Sequence, residues 1–292
     1  MALSLDKSIQ SVLAQSFTDW ELLIVDNCST DHPDEIVKRY SDDKRIRLLS
    51  IDEKDRSKAR NHGIANSNGD YITFLDADDT LHEDYLKTYQ KIFEVQPDVL
   101  CISDLMVIQN KVGKVLMKSA RARLHPFIYA LNFGHISIAL PRDTIVKYKF
   151  EDQYGEDRIL MAKLSDEIDF VFTRQPFYIY NDDYVINSEV HLKKRFEIEL
   201  NSLTRLYSNI CNKSYGRYTL KKSIFDYGIR NFYVAKSLGF NDIAKEILYS
   251  DKLNPYSLLT IAKFVKALIY YYAISIEITT TDRVLTKDDF IN

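Results

Sequence analysis

Four short apolar runs, set between segments with helical spacing, leave this chain few ways to fold. They are residues 21–25, 46–51, 71–75 and 98–103. Continuous apolar runs of this length suit strands covered on both faces. Ahead of the first, Leu5, Ile9, Val12 and Leu13 fall on one face of a helix expected over residues 5–16. Residues 34–40, 57–68 and 81–96 are expected to be helices between the strands, the last with Leu86, Tyr89 and Phe93 on one stripe. Gly69 is expected to end the helix at 57–68 in a left-handed conformation. The alternation predicts an α/β fold, a mostly parallel sheet flanked by helices.

The pattern then loosens. Residues 106–117 read as a hairpin turning near Val112-Gly113, 136–140 as a strand, 156–164 as a helix, and 168–173 and 177–180 as two strands. After about His191 the strands stop, and helical spacing recurs around residues 196–207, 220–236, 242–248 and 256–276. Two regions are expected, 1–190 and a helical C-terminal region at 191–292.

Charge follows the same division. Residues 1–191 hold 23 basic against 32 acidic side chains, and residues 192–292 hold 16 against 10. Different partners for the two regions are one reading, and two solvated surfaces are the other. The basic helical tail, with Lys263, Lys266 and Tyr270–Tyr272, has the makings of a helix on an anionic membrane surface, and equally of one packed on its own core. No run reaches the about 20 apolar residues of a membrane span, and the N-terminus does not read as a signal peptide. Cys28, Cys101 and Cys211 are odd in number and unpaired in spacing, against a disulfide framework or a zinc site. The expectation is a cytoplasmic protein, peripheral at the inner face of the cell membrane. The mixed signs of the tail and the lack of a recognition motif argue against nucleic-acid binding.

Three acidic groupings stand where a parallel sheet presents ligands, beyond strand C-termini. In Asp26-Asn27-Cys28-Ser29-Thr30-Asp31 a strand gives way to turn-forming residues. The bland reading is an Asx turn, with Ser29, Thr30 or Asp31 capping the next helix. In Asp76-Ala77-Asp78-Asp79 three carboxylates crowd four positions after an apolar strand. Such charges repel unless a cation intervenes, and Mg²⁺ or Mn²⁺ takes a few carboxylates together with phosphate oxygens. On an extended backbone Asp76 and Asp78 would point to one face. Glu156-Asp157 opens a helix, where acidic residues also complement the dipole without any catalytic role.

Taken in order, these groupings with Ala59-Arg60-Asn61-His62-Gly63-Ile64 and the run Ser8–Phe17 resemble glycosyltransferase family 2. The resemblance is strong over about residues 4–105 and thinner to about 190. It implies a GT-A (Rossmann-like) sheet and transfer of a sugar from a nucleotide-sugar, a UDP-sugar, to a glycan or lipid-linked acceptor. Position by position, Asp26 matches the aspartate on the uracil ring, with Asn27 beside it, and Arg60 matches a basic residue near the nucleotide. Asp76, Ala77 and Asp78 match the DxD motif, Asp76 near the ribose and Asp78 on the metal. Asp157 matches the catalytic base, with Glu156 orienting the acceptor. His191 stands near where some relatives place a metal-contacting histidine. His62, beside Arg60, reads as a surface or packing residue.

Two departures stand out. Asn27 and Cys28 replace the second Asp and the Gly of the family's Asp-Asp-Gly-Ser turn. The family also opens with an apolar strand that this chain, starting at Met1 within the following turn, is expected to lack. Such a loss would leave neighbouring strands with unpaired backbone groups. The alternatives are a catalytically impaired, glycosyltransferase-like scaffold and a nucleotidyltransferase. The latter is expected to carry a Gly-rich phosphate loop that is not seen here.

Overall fold

The structure, a computed structural model, describes residues 2–109, 114–118, 137–151, 156–164 and 167–181, with Lys193 and 241–242 beyond them. Two compact units divide the chain, Met1–Asp183 and Tyr184–Asn292. Apart from Asp242, the expected tail helices lie outside the described residues, as do the hairpin turn at 112–113 and His191.

Helix α1 (Ala2–Leu13) leads to strand β1 (Leu22–Asn27), helix α2 (Pro33–Val37) with a 3-10 turn to Tyr40, and β2 (Ile46–Ile51). Helix α3 (Arg56–Ala65), strands β3 (Tyr71–Thr73) and β4 (Thr80–Leu81), and helix α4 (Tyr85–Val95) follow. Strands β5 (Val99–Gln109), β6 (Lys114–Lys118) and β7 (Ile138–Pro141) precede α5 (Arg142–Tyr148), α6 (Glu156–Leu164) and β8 (Asp169–Asn181).

β1 and β2 pair in parallel, from Leu22 opposite Ile46 to Asn27 opposite Ile51. The second sheet runs β3-β7-β5-β8-β4, with β6 on β5. β5 and β8 are parallel, and the other pairs of that sheet are antiparallel. Among the described residues β1 pairs only with β2, and β3 only with β7. Glu21 ties the entrances of β1 and β3 together. Its carboxylate accepts the backbone N–H of Asn68 and of Gly69, and Arg47 grips its other oxygen at 2.8 Å.

β5 shows why its opening run, Val99 to Ile102, is continuously apolar. Leu100 and Ile102 face one core, with Leu140, Ile145, Leu160 and Leu164. Val99 and Cys101 face another, with Tyr85, Tyr89 and Phe93. A strand buried on both sides has no polar face to alternate. Leu5 and Ile9 of α1 join Ile36, Val37 and Ile46 in a third cluster. Among the described residues no helix is long and apolar enough to cross a membrane.

Several expectations need correction. α1 ends at Leu13 and α3 at Ala65. Gly69 does not end α3: the Asn66 side chain and the Ser67 hydroxyl take the last carbonyls, of His62 and Ile64, instead. α4 starts at Tyr85, because Thr80 and Leu81 are drawn into pairing with Ile179 and Tyr178. The Gln15 side chain reaches across from beyond α1 to accept the Leu86 N–H. Residues 169–181 form one strand, not two. Its pairing with β5 shifts between Ser103 and Leu105, which oppose Thr173 and Tyr178. The shift absorbs Pro176, which has no N–H to donate.

Candidate functional site

β1 carries Asp26 and Asn27 to the end of the two-stranded sheet. Asp26 Oδ1 accepts the Ser29 N–H at 2.9 Å, an Asx turn. The helix beyond is not capped by Ser29, Thr30 or Asp31. Its N-cap is His32, in the left-handed region at φ 52°, with no side-chain cap bond. Pro33 at the first helical position has no N–H to satisfy, and the Glu35 N–H is taken by the His32 carbonyl at 3.2 Å. Asn27 Oδ1 accepts the Asp55 N–H at 2.7 Å, and Asp55 caps α3 through Lys58 N–H. Asn27 thus fixes the start of the helix that bears Arg60. Cys28 sits at φ 55°, a conformation that favours glycine. Its thiol donates to the Ile51 carbonyl at 3.1 Å, a weak offset to that strain.

α3 organises what lies opposite. Asn61 clasps the backbone of Phe150 in both directions, accepting its N–H at 2.9 Å and donating to its carbonyl at 2.7 Å. Ser57 donates to the Glu151 carbonyl at 2.6 Å. These bonds bring the chain leading to α6 alongside α3. There Arg60 donates to Glu156 Oε1 at 2.5 Å and to Asp76 Oδ1 at 3.1 Å. Burial opposes the Arg60 charge. Asp76 and Glu156 outweigh it, with help from Asp157, and hold the guanidinium above its usual value.

The acidic turn is not extended, as alternation had implied. The Asp79 N–H closes onto the Asp76 carbonyl at 3.0 Å, a tight turn. Its carbonyls and its third carboxylate are held from two sides. Ser8 of α1 donates within reach of the Asp79 and Ala77 carbonyls, at 2.5 and 3.0 Å. Asn181 of β8 donates its side-chain amide to the Asp78 carbonyl at 2.7 Å and its backbone N–H to Asp79 Oδ1 at 2.9 Å. Tyr178 donates to Asp79 Oδ2 at 2.9 Å and accepts the Asp76 N–H at 3.1 Å. Burial, then the charges of Asp76 and Asp79, keep the Tyr178 phenol well above its usual value, so it retains the proton it donates.

The three carboxylates therefore separate. Asp79 is 1% exposed, while Asp76 and Asp78 open to solvent. Partial desolvation and then the Asp76 charge push the Asp78 carboxyl up, against the pull of its own N–H and of Arg56. Two exposed carboxylates flanking one alanine fit a hard divalent cation that takes its remaining ligands from phosphate and water. Among the described residues no group of three His, Cys, Asp or Glu could hold a metal alone. Phosphate oxygens and water would supply the remaining ligands of such a site.

Burial pushes the Asp79 carboxyl up to about 7, against the bonds from Asn181 and Tyr178. A carboxyl raised in the folded state favours folding while protonated, below about pH 4, and that contribution is lost as pH rises through about 7. Asp79→Asn removes it. In chelator-treated protein, urea unfolding of wild type should lose stability relative to Asp79→Asn between about pH 4 and pH 7, by roughly 4 kcal/mol at most. Parallel profiles would refute this assignment.

The structure thus joins Arg60, Asp76 and Glu156 directly, sets Asp157 close to them, and leaves Asp26 and Asn27 at the β1 end, linked through Asp55 to α3. His62 is half-buried on α3. Ser8, Asn61, Tyr178 and Asn181 were not singled out from the sequence. For Ser8 alone a signal was available, its helical spacing with Ser11 and Gln15: all three face the same stretch, with Ser11 accepting the Leu81 N–H and Gln15 donating to the His82 carbonyl.

Residues 2–151 match the family described as Glycosyl transferase family 2. The putative teichuronic acid biosynthesis glycosyltransferase TuaG of Bacillus subtilis is 38% identical over 85 residues, 28% of this chain and 34% of TuaG. Two other curated glycosyltransferases match at 39% and 40% identity over only 14% and 18% of their own lengths. Among solved structures, S. aureus TarS 1-349 in complex with UDP-GlcNAc superposes with a TM-score of 0.52 at 15% identity, covering 85% of each chain. The mannosyltransferase PcManGT from Pyrobaculum calidifontis, in complex with GDP-Man and Mn²⁺, gives 0.53 at 14% identity, covering 86% of this chain and 79% of that one. At these identities the likeness is one of fold, the GT-A fold.

Proposed function

The chain belongs to glycosyl transferase family 2, and from that membership we propose that it is an inverting, metal-dependent glycosyltransferase using a UDP-sugar. The acceptor is a hydroxyl of a glycan or lipid-linked glycoconjugate, in surface polysaccharide synthesis. The similarity to TuaG supports that setting. Asp26, matched in the family to the aspartate on uracil, favours UDP over GDP.

The Arg60 bridge carries this reading. One guanidinium draws Asp76, from the acidic turn, and Glu156, from the Glu-Asp pair, into a single cluster. Sugar transfer needs that proximity, because the base must meet an acceptor within a bond's reach of the carbon that leaves the diphosphate. In the proposed step Asp157 takes the acceptor hydroxyl proton as its oxygen bonds to the anomeric carbon. The bond from that carbon to the diphosphate oxygen breaks, and its electron pair departs with the nucleoside diphosphate. Attack from the side opposite the leaving group inverts the carbon. Glu156, held by Arg60, orients the acceptor, and Asp76 lies toward the ribose. Asp76 and Asp78 would hold Mg²⁺ or Mn²⁺, which when bound offsets the charge growing on the diphosphate.

Product analysis tests this. Incubation with a panel of UDP-sugars, acceptor glycans and Mn²⁺ should yield UDP and a lengthened acceptor. Pyrophosphate would instead indicate nucleotidyl transfer. A folded chain that neither binds nor turns over any nucleotide-sugar would favour a scaffold role.

A further inference from the structure

The Asp76–Asp79 turn has a feature that the proposed chemistry does not use. Its two exposed carboxylates have no core of their own, yet its backbone is fixed by side chains of α1 and β8. From β8, Tyr178 is 2% exposed, and its hydroxyl joins the Asp76 N–H to the Asp79 carboxylate. Asn181, three residues on, takes the Asp78 carbonyl with its side chain and the Asp79 carboxylate with its backbone. Between them they reach the first, third and fourth positions of the turn. Ser8 serves the second and shares the fourth.

We infer that Tyr178 and Asn181 are positioning residues, which hold the Asp76 and Asp78 carboxylates in register for a divalent cation bridged to a diphosphate. The inference rests on the proposed donor site and adds the reason it is preorganised. Asp79 is the anchor of this arrangement rather than a ligand: both its oxygens are spent on β8. Two carboxylates on a free turn would repel and separate, and bringing them together again would weaken the cation's binding. A turn locked in advance removes that cost.

Two substitutions separate positioning from general packing. Tyr178→Phe removes one hydroxyl and leaves the ring in its core. Asn181→Ala removes only the link to the Asp78 carbonyl, because the backbone N–H remains. The full chain is titrated with Mn²⁺ at fixed UDP, and with UDP in chelator, beside thermal melts. In each variant the Mn²⁺ needed for half-maximal UDP binding should rise about tenfold or more. UDP affinity in chelator should stay within about twofold, since the Asp26 end of the nucleotide site is not disturbed. A merely structural role would move the melting temperature without changing the Mn²⁺ dependence. Should Tyr178→Phe fail to fold, Asn181→Ala decides alone. Wild-type Mn²⁺ dependence in the folded variants would overturn the positioning role while leaving the donor site standing. A wild-type chain that binds no UDP with Mn²⁺ would overturn both.

Discussion

Arg60→Met should cost the fold about 3 kcal/mol or more and abolish donor binding as well. Removing one partner of a buried ion pair strands the other charge, at about 3–5 kcal/mol. Glu156 is that stranded charge: its side chain is 10% exposed, and Arg60 meets it at 2.5 Å. The arm to Asp76 contributes less to stability, because the Asp76 side chain is 48% exposed and water screens it. The Arg60→Met/Glu156→Gln double variant tells the two roles apart. A neutral glutamine tolerates the loss of the guanidinium, so urea denaturation should recover much of the stability. Donor affinity should not recover, since nothing replaces the cation beside Asp76. Recovery of both would make Arg60 a structural residue only.

The second large effect belongs to catalysis. Asp157→Asn should lower kcat by about 10²–10⁴, the usual worth of a positioned base, or about 3–5 kcal/mol at the transition state. UDP affinity should hardly change, because the base meets the acceptor and not the nucleotide. Asparagine matches aspartate in size and keeps a polar group in the first turn of α6, so thermal melts should shift little. A kcat near wild type would remove Asp157 from the step. A parallel loss of UDP binding would place it on the donor instead.

The elements most legible in the sequence were those whose signals are local. β2 and α6 have the bounds expected of them, β2 as an apolar run and α6 opening on Glu156-Asp157. β8 was misread because Arg174-Gln175-Pro176 interrupts the apolar pattern, whereas the parallel partner β5 carries the pairing across by a register shift. Gly69 suggested a helix end that Asn66 and Ser67 had already made. The acidic turn was recognisable from its composition, but not its shape. That shape depends on Ser8, about 70 residues before it, and on Tyr178 and Asn181, about 100 after it. No periodicity reports bonds across such separations. The same holds for Arg60 and Glu156, whose residue types suggested chemistry but whose meeting depends on Asn61 clasping Phe150.

The claim on which the rest depends is that Asp76 and Asp78 bind a cation together with a nucleoside diphosphate. Calorimetric titration of the full chain with UDP, with and without Mn²⁺, addresses it directly, beside Asp78→Ala as the control. Asp78 is exposed and its side chain accepts no bond that the fold needs, so the variant should remain folded. The account predicts UDP binding that Mn²⁺ strengthens by about tenfold or more in wild type and hardly at all in Asp78→Ala. UDP binding of equal strength in both proteins, or none in either folded protein, would contradict it.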